Sequence, residues 1–117
     1  GPGKSEVMNV IGEVKNKSCV IIDDLVDSGG TIVNAADALL KQGAKEVYAY
    51  VVHGVLTGNA IKNINKSKIK KFVITNSIYN HKKIGRSNKF TIISVADLLA
   101  EAIKRISISK SVSKLFK

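Results

Sequence analysis

Asp23, Asp24 and Asp27, followed by Ser28-Gly29-Gly30-Thr31, are the residues whose types and spacing could do chemistry. The stretch leading to them, residues 18–24, is short, apolar and β-branched before it reaches its carboxylates. That pattern suits a buried parallel strand. After the loop, Ile32, Ala35, Ala36, Leu39 and Leu40 recur at helical spacing. Strand, Gly-rich turn and helix start place backbone N–H groups at a helix N-terminus, where a phosphate is favoured. Gly29 and Gly30 let the backbone approach an anion closely. Ser28 and Thr31 add hydroxyl donors, and the carboxylates can accept sugar hydroxyl protons, directly or through Mg²⁺. Together they fit a polyhydroxylated phosphate. Taken singly, each reads better as part of a strand-terminal acidic turn, with Asp27 or Ser28 as an N-cap.

The rest of the chain supplies elements to position this loop. Gly43 sits where a helix C-cap belongs, and residues 46–52 form a second strand candidate, so a βαβ unit with a right-handed crossover is expected. Residues 57–65 read as a short helix with Ala60, Ile61 and Ile64 inward. Residues 71–75 read as a third strand, 76–88 as a polar loop, and 90–93 as a fourth strand. Ser94 with Asp97 resembles a capping box. Val95, Leu98, Leu99, Ala102, Ile103 and Ile106 give the clearest amphipathic helix, and its apolar face is expected to be packed. The predicted fold is α/β: a doubly wound, mostly parallel, four- to five-stranded sheet with helices on both faces.

Composition narrows the function. The 117 residues are 44% hydrophobic and 24% charged, globular values for one domain. The net charge is +10, yet Arg86 and Arg105 are the only arginines and aromatics are 5%. Base readout and base stacking are poorly supplied, so a solvated lysine surface is expected, with no nucleic-acid partner. No apolar run is long enough for a membrane span. A single cysteine, Cys19, excludes an internal disulfide and reads as a small core residue. A reducing, cytoplasmic setting is the default expectation. Residues 1–4 read as a tag remnant and 5–117 as the domain.

As a string, Val20-Ile-Ile-Asp-Asp-Leu-Val-Asp-Ser-Gly-Gly-Thr31 resembles the phosphoribosyl-diphosphate motif of the phosphoribosyltransferase superfamily. Its Asp-Asp-x-x-Asp-Ser-Gly-Gly-Thr form is similar to that of ribose-phosphate pyrophosphokinases. Residues 5–14, 43–50, 53–61 and 94–106 support that narrower resemblance, and 111–116 resemble the family's C-terminus. The resemblance implies a Mg²⁺-dependent enzyme that moves the diphosphate of ATP onto ribose 5-phosphate. It implies that Asp23 and Asp24 hold the ribose hydroxyls and, through the sugar, Mg²⁺. Asp27, Ser28, Gly29, Gly30 and Thr31 would cradle the 5-phosphate. Ser111 and Ser113 resemble tail positions that help form a regulatory phosphate site in a cytoplasmic homo-oligomer, and read equally well as cap and turn residues.

The same resemblance covers a C-terminal part of the family, without its ATP domain and its catalytic Lys/Arg loop. No catalytic residue is therefore expected here, Lys4 included, and the chain alone is expected not to catalyse. The alternatives are a non-catalytic sugar-phosphate or subunit-interaction module, or a small phosphoribosyltransferase. Asn76 replaces a family carboxylate. His53 could face the ligand or pack a turn, His81 reads as solvated surface, and Tyr48 and Tyr50 share one strand face.

Overall fold

A computed structural model describes residues 13–107. Four strands, β1 (Ser18–Val26), β2 (Glu46–Gly54), β3 (Lys71–Thr75) and β4 (Phe90–Ile93), alternate with four helices. The helices are α1 (Gly30–Lys41), α2 (Ala60–Lys66), the single turn α3 (His81–Ile84) and α4 (Val95–Ser107). All neighbouring strands pair in parallel, in the order β1-β2-β3-β4. The α/β class and the four-stranded parallel sheet are those expected.

Strand order follows chain order without reversal. Right-handed crossovers running in one direction put successive helices on the same face. Accordingly α1 packs on β1, β2 and α2, and Ser87 after α3 bonds Asn65 of α2 at 2.6 Å. Between sheet and helices lie Val47, Ala49, Phe72, Ile74, Ala36, Ile64 and Ile69, all buried. Phe72 and Phe90 stack at a tilt, centroids 5.2 Å apart. Burying a side chain of this size stabilises the fold by about 1.5–3 kcal/mol.

The expected cover on both faces, and with it the double winding, does not appear among the described residues. Side chains alternate along a strand, so Ile21 is 9% exposed while its neighbour Ile22 is 73% exposed. Val20, Ile22, Tyr50 and Val52 form an exposed apolar row on the second face. On α4, Leu99, Ile103 and Ile106 are likewise exposed. The sequence correctly predicts that helix, but only Val95, Leu98 and Ala102 of its apolar stripe are half-buried, and the other three stay exposed.

Several boundaries shift for local reasons. β1 runs to Val26 because Leu25 and Val26 still pair with His53 and Gly54. α1 ends at Lys41, and Gly43 takes the expected left-handed turn (φ 96°). Residues 57–59 lie before α2, which begins at Ala60. The predicted 76–88 loop contains α3, anchored by buried Ile84 and Asn80. Ser94 caps α4 as predicted, its Oγ accepting from Asp97 N–H at 3.4 Å. Asn76 supplies a second cap, its Oδ1 accepting from Val95 N–H at 2.9 Å, so an amide serves this contact without a carboxylate.

The lysines are used at the end of the sheet where the strands begin. Lys70 pairs with Glu46 at 2.7 Å. Lys71 Nζ donates to Asn88 O at 2.6 Å. Lys89 Nζ donates to Ile64 O at 3.1 Å and Ser67 O at 2.6 Å, closing the C-terminus of α2. Burial pushes the Lys89 ammonium below its ordinary pKa. The Glu46 carboxyl is lowered to about 2, chiefly by its bond to Lys70 and next by its bond from Ser18.

Candidate functional site

Where β1 gives way to α1, an open cavity of about 230 Å³ forms at the carboxyl end of the sheet. Open α/β sheets bind ligands at this end. Asp23, Asp27, Ser28, Gly29 and Thr31 line the cavity, with Leu25, Val26 and Ile32 as its apolar wall. Gly29 has φ 85°, the left-handed conformation that a side chain disfavours. A Cβ there would also lie 3.2 Å from Ile64 of α2. The loop thus sits tightly against the second helix. No carbonyl accepts from the N–H groups of Ser28, Gly29, Gly30 or Thr31 among the described residues. These are the free donors of a helix start, and they leave a positive patch beside the Asp23 carboxylate.

The predicted residues do not all converge. Asp23 shares the strand parity of Ile21 and lines the cavity. Asp24 has the parity of Val20 and Ile22, does not line the cavity, and donates its backbone N–H to Asp23 Oδ1 at 2.8 Å. Gly30 lines the neighbouring 410 Å³ groove between α1 and α2, with Asn34, Asp37 and Lys66. Asp27 accepts a hydrogen bond from the Thr57 hydroxyl. Ser111 and Ser113 lie outside the described residues, as do residues 1–4.

Two residues join the neighbourhood, His53 from β2 and Asn80 from the segment between β3 and α3. His53 lies opposite Leu25 in the β1–β2 register, and its Nδ1 is 2.8 Å from Ser77 Oγ. That partner is the turn after β3, which favours the packing reading of His53. Behind it, buried Asn80 donates Nδ2 to Gly54 O at 2.6 Å, while its Oδ1 has no partner among the described residues. His81 is exposed beside Tyr79, with ring centroids 5.0 Å apart. Cys19 is half-buried against the core. Tyr48 and Tyr50 share the parity of the uncovered face.

For a metal, the donor set is limited. No group of three or more His, Cys, Asp or Glu side chains could hold an ion among the described residues. Mg²⁺ prefers oxygen donors, usually keeps several waters, and often takes one or two carboxylates plus substrate oxygens. Asp23 fits such a partial role. No Lys or Arg lines the cavity. No helix of the described residues is long and apolar enough to cross a membrane.

The arrangement is thus a parallel α/β sheet with a glycine-rich loop and a carboxylate at the carboxyl end of its first strand. The Phosphoribosyl synthetase-associated domain family matches residues 2–117, and the chain belongs to that family. It is 55% identical over 115 residues to the ribose-phosphate pyrophosphokinase of Rhizobium meliloti (strain 1021), covering 98% of this chain and 37% of the relative. Against the enzyme of that name from Bradyrhizobium diazoefficiens the identity is 51%, over 98% of this chain and 36% of the relative. The solved phosphoribosylpyrophosphate synthetase from Mycobacterium smegmatis superposes with a TM-score of 0.71 at 33% identity. That likeness covers 85% of this chain and 33% of the solved one. The chain therefore spans just over a third of the length of the curated relatives it matches.

Proposed function

We propose that this chain is the ribose 5-phosphate-binding part of a ribose-phosphate pyrophosphokinase. The whole enzyme would transfer the diphosphate of ATP to ribose 5-phosphate, giving phosphoribosyl diphosphate and AMP. The observation that carries this reading is the run of N–H groups from Ser28 to Thr31 that no carbonyl accepts among the described residues, with Ser28, Gly29 and Thr31 lining a cavity that Asp23 also lines. The amides and hydroxyls of that loop bind the 5-phosphate, and Asp23 accepts from the ribose hydroxyls. Mg²⁺ would supply charge neutralisation, and Asp23, with Asp24 on the adjoining strand position, would hold it indirectly through the sugar. ATP would be bound by parts of such an enzyme outside the third that this chain matches.

The chain by itself binds without catalysing. Diphosphate transfer needs cations against the developing charge, and the cavity wall contains none among the described residues. By resemblance, Ser111 and Ser113 would contribute to a regulatory phosphate contact in a cytoplasmic homo-oligomer.

Calorimetric titration of ribose 5-phosphate with Mg²⁺ into the chain, alongside an assay for AMP from added ATP, tests the proposal. Binding without AMP is expected, with Asp23→Asn raising the Kd about tenfold, the size of one hydrogen bond to a charged group. Asp24→Asn should have the smaller effect. AMP release would overturn the inactivity of the chain, and absence of binding would overturn the ligand.

A further inference from the structure

Thr57 belongs to none of the phosphate-loop residues, yet it is bound to that loop twice. Its hydroxyl donates to Asp27 Oδ1, and its backbone N–H donates to Asp27 O at 3.0 Å. The two residues before it extend the attachment. Val55 N–H and Leu56 N–H both donate to Val26 O, at 2.9 and 3.2 Å. Leu56 is a non-glycine residue at φ 53°, and its side chain is 2% exposed. A left-handed leucine persists only where its surroundings over-determine it. Residues 55–57 thus form a fixed rail alongside the phosphate loop, and α2 supports the loop from below through Ile64 at Gly29.

We infer that Thr57 is a positioning residue for the phosphate loop, and that Asp27 holds the loop in shape through Thr57 and does not itself touch the phosphate. This rests on the ribose 5-phosphate reading of the same cavity and refines it. A carboxylate repels a phosphate, so a cradle made of amides gains nothing from Asp27 as a ligand. Tied to Thr57, the same carboxylate fixes the backbone from which the N–H groups of Ser28, Gly29 and Gly30 project. Preorganised donors bind more tightly because less ordering is left to the ligand.

The test uses the full chain with Thr57→Val, which keeps the shape and removes the hydroxyl, and Thr57→Ser, which restores it. Two readouts are needed: amide hydrogen exchange at residues 28–30, and the Kd for ribose 5-phosphate with Mg²⁺. Thr57→Val should speed exchange at those amides and raise the Kd, each about tenfold, while Thr57→Ser stays close to the parent. Unchanged exchange in Thr57→Val, or a Ser variant no better than the Val variant, overturns the role of Thr57. Faster exchange in Thr57→Val with no ligand bound by the parent upholds the brace and overturns the ribose 5-phosphate reading.

Discussion

The two faces of the sheet are made from one set of strands and behave as different materials. On one, Val47, Ala49, Phe72 and Ile74 are buried beneath α1 and α2. On the other, one residue along in each strand, Val20, Ile22, Tyr50 and Val52 are exposed. Composition does not distinguish them, since both rows are apolar and β-rich. What distinguishes them is cover, and cover follows from the direction in which the crossovers run. An apolar strand residue is thus evidence of a strand facing something, and its contribution to stability depends on whether that partner is present.

Substitution should expose this contrast most strongly at Phe72. Phe72→Ala removes a fully buried ring and its partner contact with Phe90, so a loss of about 3–5 kcal/mol is expected in chemical denaturation. Ile22→Ser, also mid-strand, should stay within about 0.5 kcal/mol, because its side chain is largely in water already. Comparable losses at the two positions would mean that the second face is covered. The uncovered row should also bind a hydrophobic dye such as ANS in the native state, and Ile22→Ser combined with Tyr50→Ser should reduce that fluorescence severalfold with little change in Tm.

The smallest expected effect lies at the opposite end of the sheet from the cavity. Glu46, held at about 2 against an ordinary 4.5, is a group whose folded pKa is depressed. Its pairing with Lys70 and Ser18 therefore favours folding above pH 4.5 and is lost as the pH falls toward 2. The pair is at the surface and screened, so the contribution is minor. Glu46→Gln should flatten the acid side of a Tm-versus-pH curve slightly and leave the neutral value nearly unchanged.

How much of this was legible in the sequence differs by element. β3 and β4 were readable to the residue, because short β-branched runs bounded by polar stretches admit one reading. The α4 helix was readable too, through its period and the Ser94 cap, but the exposure of Leu99, Ile103 and Ile106 was not, since amphipathicity states a need and not a partner. The α3 turn was hidden in a lysine-rich stretch, where only Ile84 and Asn80 reach the core. At the site, the loop was legible from its glycines and carboxylates. The separation of Asp23 from Asp24 follows from strand alternation once β1 extends beyond them to Val26. Thr57 carried no signal at all, because it lies thirty positions from Asp27 and meets it only through the fold.

Strand order has a last consequence, for how little of the chain the cavity needs. Every residue that lines the cavity or braces its loop lies between Asp23 and Thr57, with α2 beneath. Those parts belong to one βαβ unit and the turn and helix that follow it, joined by connections short enough to close at small entropic cost. The last strand and the long helix after it supply no wall and no donor. Changes in β4 or α4 would leave the cavity wall and the brace at Thr57 as they are, which makes this end of the described fold the place where new attachments can be grafted while the loop keeps its shape.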